Sequence, residues 1–290
     1  MAEKIKLLAI IGPTASGKTA LAIEIAKKFD GEIVAADSRT VYKYLDIGTA
    51  KPNKQEQFGI PNWGFNLATP GQTYTVADFK KYTTQKIKEI QKRHKLPILV
   101  GGSGLYIDAV LYNFVLVSSD PRLRQQLEKL SIAQLQSQII RHGLVIPTNL
   151  RNKRYLIRTI ERNETLLGKT PLKKGTVIIG INPSKQKLKK RIESRASLMI
   201  EAGVEGEIQK AANLYGWESE AMTGGIYRAF KDVIMGIKSS NQGLTDYIAS
   251  DLHLAKRQMT WFKRNPDIHW FANTSLALTW FEQVFGGKLR

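Results

Sequence analysis

Apolar runs and amphipathic segments alternate over the first third of the chain. Mainly apolar runs predict buried strands at residues 5–11, 32–36 and 96–100. Apolar residues at helical spacing predict helices at residues 18–29 and 75–93. Because strands that alternate with helices form parallel sheets with helices on both faces, the pattern predicts an α/β fold with a parallel sheet flanked by helices.

The pattern of apolar and polar residues changes from about residue 115, where short helical segments carry many glutamines and basic residues. A helix is predicted after Asp120-Pro121, because proline suits the first helical position. Two more helices are predicted at residues 132–141 and 152–163, and a return strand at residues 176–182.

Two basic helices are predicted in the last third of the chain, at residues 185–202 and 251–264. The order of the elements predicts a core built from two separate parts of the chain. We expect this core at residues 1–114 and 176–290, with a small helical insertion domain at residues 115–175.

One loop of the predicted core matches a motif that binds phosphate groups. Residues 12–19 fit G-x-x-x-x-G-K-[ST] at every fixed position and join a predicted strand to a helix. Backbone N–H groups and the positive end of the helix dipole then point at a phosphate group. Lys18 adds a mobile charge, and the Thr19 hydroxyl can hold Mg²⁺ or a phosphate oxygen. The predicted diphosphate-binding residues are Gly12, Pro13, Thr14, Ala15, Ser16, Gly17, Lys18 and Thr19.

Two further features follow predicted strands, at the edge where ligands bind in α/β sheets. Asp37 follows the second strand, and it could be a Mg²⁺-side group, a general base or the cap of the next turn. Gly101-Gly-Ser-Gly104 follows the third strand, where glycines let the backbone approach a ligand closely. We expect both features to face the same crevice as the phosphate loop.

The charge balance adds a polyanionic partner to this picture. The chain holds 44 Lys and Arg against 25 Asp and Glu, a net charge of +19. Residues 151–195 contain 14 of the basic residues and 3 acids, so +11 of the excess lies there. An excess of this size favours nucleic acid or an anionic membrane, although a merely solvated basic surface is the alternative. The accompanying phosphate-loop core favours RNA or DNA.

The composition also excludes several kinds of site. The chain has no cysteine, which excludes disulfides and Cys-based zinc sites and is typical of a reducing cytosol. The four histidines are scattered, and none pairs at ligand spacing. We expect no signal peptide, because the amino terminus leads directly into the first strand, and no apolar run reaches membrane-spanning length.

Five motifs together carry a resemblance to a known family. The motifs are Gly12-Pro-Thr-Ala-Ser-Gly-Lys-Thr19, Asp37-Ser38, Asp46-Ile-Gly-Thr-Ala-Lys-Pro52, Gly101-Gly-Ser-Gly-Leu-Tyr106 and Lys256-Arg-Gln-Met-Thr-Trp261. The third and the fifth of these motifs are far more specific than the phosphate loop. In their order along the chain, the five motifs resemble those of tRNA dimethylallyltransferases, which prenylate the adenosine immediately 3′ of the anticodon.

The resemblance implies a prenyl transfer in which pyrophosphate leaves. The phosphate loop would hold dimethylallyl diphosphate, and Lys18, Thr19 and Mg²⁺ would stabilise the charge that grows on pyrophosphate. The family's pyrophosphate arginine corresponds to Arg195, and its catalytic aspartate corresponds to Asp37, which would take a proton from the exocyclic amine of adenine. The implied partners are a tRNA anticodon stem-loop and dimethylallyl diphosphate, bound by a cytoplasmic monomer.

The resemblance also implies a set of RNA contacts. The sequence departs from the family pattern at five places: Thr40, Ser103, Tyr155, Thr223 and Asn62-Trp63. The first two departures change little, whereas the other three bear on the RNA contacts and the choice of tRNA, not on the transfer chemistry. The implied tRNA-binding residues are Asp37, Ser38, Arg39, Thr40, Ser103, Arg124, Arg154, Tyr155, Arg158, Lys256, Arg257, Gln258, Trp261 and Arg264.

Two other functions use some of the same features. A phosphate-loop kinase for a nucleotide or small alcohol explains the loop and Asp37 but gives no role to the basic block at residues 151–195. A nucleotide-gated RNA-binding protein explains the charge but needs no acid at Asp37.

Overall fold

A computed structural model of the protein describes residues 5–114, 120–147, 149–162 and 170–286. The chain divides into two compact units. The first unit, Met1–Tyr112 with Leu172–Arg290, contains the sheet. The second unit, Asn113–Pro171, is helical and overlaps the stretch for which an insertion domain is predicted.

The sheet of the first unit has six strands, and every strand pair in it is parallel. The strand order is β3-β2-β4-β1-β5-β6, so β1 lies inside the sheet between β4 and β5. The predicted α/β fold with a parallel sheet is confirmed. The strands are β1 (Leu7–Ile11), β2 (Gly31–Ala36), β3 (Asn62–Trp63), β4 (Leu96–Gly101), β5 (Thr176–Ile181) and β6 (Ile268–Phe271).

Twelve helices lie in the described residues, and three of them, α4 to α6, belong to the second unit. A 3₁₀ turn at Glu220–Thr223 precedes α9. The helices are α1 (Lys18–Lys28), α2 (Val76–Lys92), α3 (Gly104–Leu111), α4 (Pro121–Glu128), α5 (Ile132–Arg141), α6 (Lys153–Arg162), α7 (Lys185–Glu201), α8 (Val204–Tyr215), α9 (Gly225–Ala229), α10 (Lys231–Ile234), α11 (Ser240–Phe262) and α12 (Thr274–Phe285).

The main core fixes the end of β1, where the phosphate loop begins. All five residues of β1 are buried. Leu21 and Ile25 of α1 pack in the same cluster as Ile10, Ile98 and Phe281, all at 2% exposure or less. Burying a side chain of this size stabilises the fold by about 1.5–3 kcal/mol. The strand and helix on either side of the loop are therefore held firmly.

A second core cluster supports the chain after β2. Leu45 packs with Val204 and Ile208 of α8 and with Tyr227 of α9, and all four are fully buried. This cluster places the segment at residues 46–52 against α8 and α9. The long loop between β2 and β3 therefore has its own hydrophobic support.

The structure differs from the sequence prediction at the long helix α11, which begins at Ser240 rather than at residue 251. A capping box between Ser239 and Gln242 starts the helix. Gly243 lies in the first turns of the helix, and glycine has a low helix propensity. In the folded protein this part of the helix packs closely against Val233: a Cβ atom added to Gly243 would lie 2.6 Å from the Val233 side chain. The prediction was wrong because close packing overrides low helix propensity.

The second unit has a small core of its own between α4, α5 and α6. Its buried residues are Leu127, Leu135, Ile139, Leu144, Leu156 and Ile157. The carboxylate of Glu161 is 1% exposed and accepts from Arg124 at 2.6 and 2.7 Å and from Arg158 at 2.8 Å. Burial opposes its ionisation, yet these hydrogen bonds outweigh burial and lower the pKa of Glu161. This ion-pair network ties α4 to α6.

Candidate active site

The loop between β1 and α1 has the backbone of a phosphate-binding loop. Gly12 and Gly17 have φ angles of +149° and +95°, a region that glycine adopts without strain. A Cβ atom on Gly12 would lie 2.4 Å from the carbonyl oxygen of Ile181, so β5 leaves room only for glycine. The first N–H groups of α1 have no partner within the helix and can bind an anion.

The ammonium group of Lys18 is held over this loop by neutral oxygens. It donates to the carbonyl of Pro13 at 2.6 Å and lies 3.5 Å from the Ser16 hydroxyl. Burial lowers the pKa of Lys18 to about 8, partly offset by the charge of Asp37. A bound diphosphate would give this partly buried ammonium group a directly bonded anionic partner in place of its neutral ones.

Two arginines of α7 reach the same loop. Arg195 donates to the Thr14 hydroxyl at 2.8 Å and forms an ion pair with Asp251 of α11. Its Nε–H is buried and finds no acceptor among the described residues. Arg191, one turn earlier, donates to the carbonyl of Ser16 at 3.0 Å. The contacts with Thr14 and Asp251 therefore hold the Arg195 guanidinium beside the phosphate loop.

Asp251 is a buried acid in this arrangement. Its side chain is 7% exposed, and burial raises its pKa while the contact with Arg195 opposes the shift. Since Arg195 also contacts Thr14 of the loop, the ion pair orients the guanidinium toward the phosphate loop.

The predicted acid at the end of β2 lies at the same crevice. The backbone N–H of Arg39 donates to Asp37 at 2.7 Å, so the aspartate also forms the local turn. The backbone N–H of Ser38 donates to the Ser103 hydroxyl at 3.2 Å, which ties the ends of β2 and β4 together. Thr40 is only 7% exposed, so its side chain lies mostly inside the protein.

The glycine turn after β4 is packed against α11. A Cβ atom on Gly102 would lie 2.3 Å from Gln258 Nε2, and one on Gly104 would lie 2.4 Å from the Trp261 ring. Gln258 also accepts the backbone N–H of Thr14 at 2.8 Å, and the Trp261 indole N–H donates to Asp108 at 3.1 Å. The two α11 side chains therefore join the glycine turn and the phosphate loop.

These groups surround one cavity of about 420 Å³. Its polar lining includes Lys18, Thr19, Asp37, Arg191 and Arg195, and residues 14–17 of the phosphate loop line it as well. Its apolar lining includes Ile33, Ala35, Phe65, Val100 and Leu254. The cavity therefore offers cationic donors for a diphosphate and apolar surface for a short hydrocarbon chain.

The structure brings together every predicted catalytic residue: Asp37, Lys18, Thr19 and Arg195 all line this cavity. The predicted RNA-binding residues of the first unit differ in exposure: Lys256, Arg257 and Arg264 are exposed, whereas Gln258 and Trp261 are partly buried. In the second unit Arg154 and Tyr155 are exposed, while Arg124 and Arg158 hold Glu161. The role of all these residues toward RNA stays a prediction.

Sequence reasoning missed Arg191 and Asp251 as residues of the site. The spacing of Arg191 and Arg195, one helical turn apart, could have shown that both face one side of α7. No local pattern links Asp251 to the phosphate loop, because its contact to the loop runs through Arg195, which is 56 residues away in the sequence.

Comparison with known proteins identifies the family. The family model for IPP transferase matches residues 40–265. A tRNA dimethylallyltransferase of Acetivibrio thermocellus is 36% identical, and the alignment covers 91% of this chain and 90% of the relative. A tRNA dimethylallyltransferase of Macrococcus caseolyticus is 34% identical, and the alignment covers 95% of this chain and 93% of the relative. Both alignments extend beyond the family match.

Solved structures show the same relationship. A tRNA isopentenylpyrophosphate transferase from Bacillus halodurans superposes with a TM-score of 0.75 at 30% identity, covering 99% of this chain and 97% of its own. A eukaryotic dimethylallyltransferase acting on tRNA superposes with a TM-score of 0.79 at 22% identity, covering 99% and 77%, and shares the fold.

The sequence relatives favour prenyl transfer over a phosphate-loop kinase, and the cavity combines cationic donors with apolar surface. The chain belongs to the IPP transferase family, the tRNA dimethylallyltransferases.

Proposed function

We propose that the protein transfers a dimethylallyl group from dimethylallyl diphosphate to N6 of the adenosine 3′ of the tRNA anticodon, releasing pyrophosphate. The observation that carries the proposal is the single cavity that joins the phosphate loop, Asp37 and an apolar wall. A kinase site needs the phosphate loop and the acid, but a small hydrocarbon group explains the apolar wall as well.

The cationic side of the cavity would stabilise the leaving group. As the bond between C1 and the bridging oxygen breaks, negative charge grows on pyrophosphate. The loop N–H groups, Lys18 and the guanidinium of Arg195 are in place before the reaction, so they gain strength in the transition state at no reorganisation cost. Arg191 adds charge on the outer side of the loop.

Asp37 would act as the general base. The exocyclic amine of adenine is a poor nucleophile, since its lone pair is delocalised into the ring, and it must lose a proton as it attacks C1. The carboxylate of Asp37 borders the cavity and is held by the Arg39 N–H. A positioned base typically accelerates such a step by about 10²–10⁴-fold.

The residues of the cavity fit a magnesium ion that is held mainly by the substrate. Mg²⁺ in phosphate sites keeps several waters and takes one or two protein ligands plus phosphate oxygens. The described residues contain no cluster of three acids or histidines, and the side-chain oxygens that line the cavity include the Thr19 hydroxyl and the Asp37 carboxylate. When bound, the ion would neutralise charge on the pyrophosphate. Thr19 would be its first protein ligand.

The tRNA would bind through the basic residues predicted from the sequence. Taking the target base out of the anticodon-loop stack costs about a few kcal/mol, which phosphate contacts can offset. The exposed side chains of Lys256, Arg257, Arg264 and Arg154 suit this role. In this proposal the protein is a cytoplasmic monomer that binds one anticodon stem-loop. Its helical unit, residues 113–171, would be a second tRNA-binding part.

Across the described part of the chain, every helix is too short or too polar to span a lipid bilayer.

A single assay tests the proposal. The protein is incubated with an anticodon stem-loop RNA, dimethylallyl diphosphate and Mg²⁺, and the RNA is weighed by mass spectrometry. We expect a gain of one five-carbon prenyl unit and one equivalent of pyrophosphate. ATP consumption without a change in the RNA mass, or RNA binding without any transfer, would contradict the proposal.

A further inference from the structure

We propose that Glu207 of α8 is a positioning residue that sets the size of the prenyl-binding part of the cavity. It would do so by fixing the wall loop, residues 46–52, which contains the motif Asp46-Ile-Gly-Thr-Ala-Lys-Pro52. The proposal rests on the proposed function and deepens it, because it assigns the choice of donor chain length to a residue outside the cavity lining.

The carboxylate of Glu207 binds the wall loop through backbone N–H groups. One oxygen accepts from Asp46 at 2.7 Å and from Ile47 at 2.8 Å, and the other accepts from Gly48 at 2.9 Å. Three successive N–H groups that converge on one anion form a backbone nest. Here the protein itself supplies the anion.

Tyr227 of α9 completes this contact. Its hydroxyl donates to Glu207 at 2.8 Å, and its side chain is fully buried. Burial and the neighbouring carboxylate raise the pKa of Tyr227, so the hydroxyl keeps its proton and remains a donor. A Cβ atom on Gly48 would lie 2.7 Å from the Tyr227 ring, which shows how closely the loop backbone approaches it.

Lys51 holds the wall loop from within. Its side chain is 5% exposed, and its ammonium group donates to the carbonyl of Tyr42, to Asp46 at 2.7 Å and to Asn66 at 2.8 Å. An ammonium group has three N–H donors, so these three acceptors satisfy it fully. The loop is thus fixed at its backbone by Glu207 and at its side chain by Lys51.

The fixed loop forms part of the cavity wall. Thr49, Ala50 and Pro52 line the cavity next to the apolar residues Ile33 and Phe65, whereas Glu207 and Tyr227 do not line it. Glu207 therefore acts on the cavity only through the loop. If the nest loses its anion, the loop can move away from the apolar wall, and the cavity can admit a longer hydrocarbon chain.

The test compares two donors, dimethylallyl diphosphate and geranyl diphosphate, with the same anticodon stem-loop. We expect Glu207→Gln to raise KM for the short donor and to shift the kcat/KM ratio about tenfold toward the longer one, a typical size for selection between hydrocarbon groups in a pocket. Inhibition by pyrophosphate, which needs only the phosphate loop, should stay unchanged. Tyr227→Phe should act in the same direction with a smaller shift.

Glu205→Gln is the matched control, because Glu205 lies on the same helix and contacts Ser240 instead of the wall loop. It should leave the donor ratio unchanged. An unchanged ratio in Glu207→Gln, or an equal loss of affinity for both donors and for pyrophosphate, would overturn the inference. If Glu207→Gln does not fold, the shift in Tyr227→Phe decides. A wild-type protein that transfers neither donor would contradict the proposed function instead.

Discussion

Two loops border the cavity, and each presents backbone N–H groups that suit an anion, but in the described part of the chain only one of them has an anion supplied by the protein. The wall loop directs backbone N–H groups toward an anion, the protein's own Glu207, so the loop is held in place. The phosphate loop, residues 12–19, leads into α1, whose first N–H groups suit an anion as well. There no described residue supplies a carboxylate to these N–H groups, and the space is part of the cavity. In our proposal, backbone N–H groups bind a ligand in one loop and fix the wall in the other.

The lysines of the two loops show the same difference. Lys51 is paired with the carboxylate of Asp46. Lys18 donates instead to a backbone carbonyl and lies near a hydroxyl, which are neutral acceptors. A lysine already paired with an acid is a structural part of its loop, whereas Lys18 can exchange its weak partners for a diphosphate.

The largest effect should come from removing the base while both loops stay intact. Asp37→Asn keeps an acceptor for the Arg39 N–H but cannot take a proton, so kcat should fall by about 10²–10⁴-fold. Binding of the stem-loop RNA, measured by fluorescence anisotropy, should stay within a few-fold of wild type. Asp46→Asn, the corresponding change in the wall loop, is the control and should leave kcat nearly intact. A matching loss of RNA affinity in Asp37→Asn would show that Asp37 docks RNA instead.

Breaking the phosphate loop should have the next largest effect. Lys18→Ala removes a cation from the leaving group, and loss of one such group typically lowers kcat by about 10²–10³-fold. Steady-state kinetics with the stem-loop RNA measures the loss. Lys27→Ala is the matched control on the same helix, since the Lys27 ammonium lies over the Phe58 ring instead. A loss of less than tenfold for Lys18→Ala would contradict the role assigned to the loop.

One glycine in each loop offers a matched pair of substitutions. In Gly12→Ala the new Cβ meets a backbone oxygen, whereas in Gly48→Ala it meets the Tyr227 side chain. Forced close contacts typically cost about 1–3 kcal/mol. We expect Gly12→Ala to weaken binding of both pyrophosphate and donor, and Gly48→Ala to weaken binding of the donor alone. Calorimetric titration of each variant with pyrophosphate and with the donor would measure both effects. Weaker pyrophosphate binding in Gly48→Ala but not in Gly12→Ala would contradict the roles assigned to the two loops.

The smallest effect should be a pH dependence that comes from Lys18. Its pKa is lowered to about 8 in the folded protein, so the free enzyme loses this charge as the pH rises through about 8. The kcat/KM for the donor should therefore fall above that pH, and the fall should be absent in Lys18→Ala.

Whereas kcat/KM should fall with pH, the free energy of unfolding of the ligand-free protein should rise. Between a pH of about 8 and the ordinary lysine pKa of 10.5, the unfolded chain binds more protons at Lys18 than the folded chain does. The contribution of Lys18 to the free energy of unfolding should therefore rise with pH across this window, as chemical denaturation of wild type and Lys18→Ala would show. A contribution that falls with pH would contradict a lowered pKa.

Local patterns predicted the central part of the fold. The apolar runs at β1, β2, β4 and β5 are bounded by glycine or polar residues, so their ends are visible in the sequence. The two-residue strand β3 and the edge strand β6 gave no such signal, because pairing with β2 and β5 defines them. The start of α11 was missed for a similar reason, since its glycine is tolerated through packing against α10 and Phe230.

The site was predictable where one continuous motif carries the chemistry. Gly12, Lys18 and Thr19 follow from the phosphate-loop pattern, and Asp37 follows from its place at the end of a strand. The resemblance marked the segment Asp46 to Pro52, but nothing local shows why it has that sequence. The segment is bound by Glu207, which Tyr227 contacts in turn. Both residues lie more than a hundred positions away in the sequence and reach the loop only in the folded chain.

The central claim is that the phosphate loop holds a group that leaves from carbon. Dimethylallyl diphosphate with a heavy oxygen isotope in the bridge between C1 and phosphorus tests it most directly. The account predicts that all of the heavy oxygen appears in pyrophosphate and that the RNA gains an unlabelled prenyl unit. Heavy oxygen that stays with the prenyl fragment, together with phosphate on the RNA, would show cleavage at phosphorus and contradict the account.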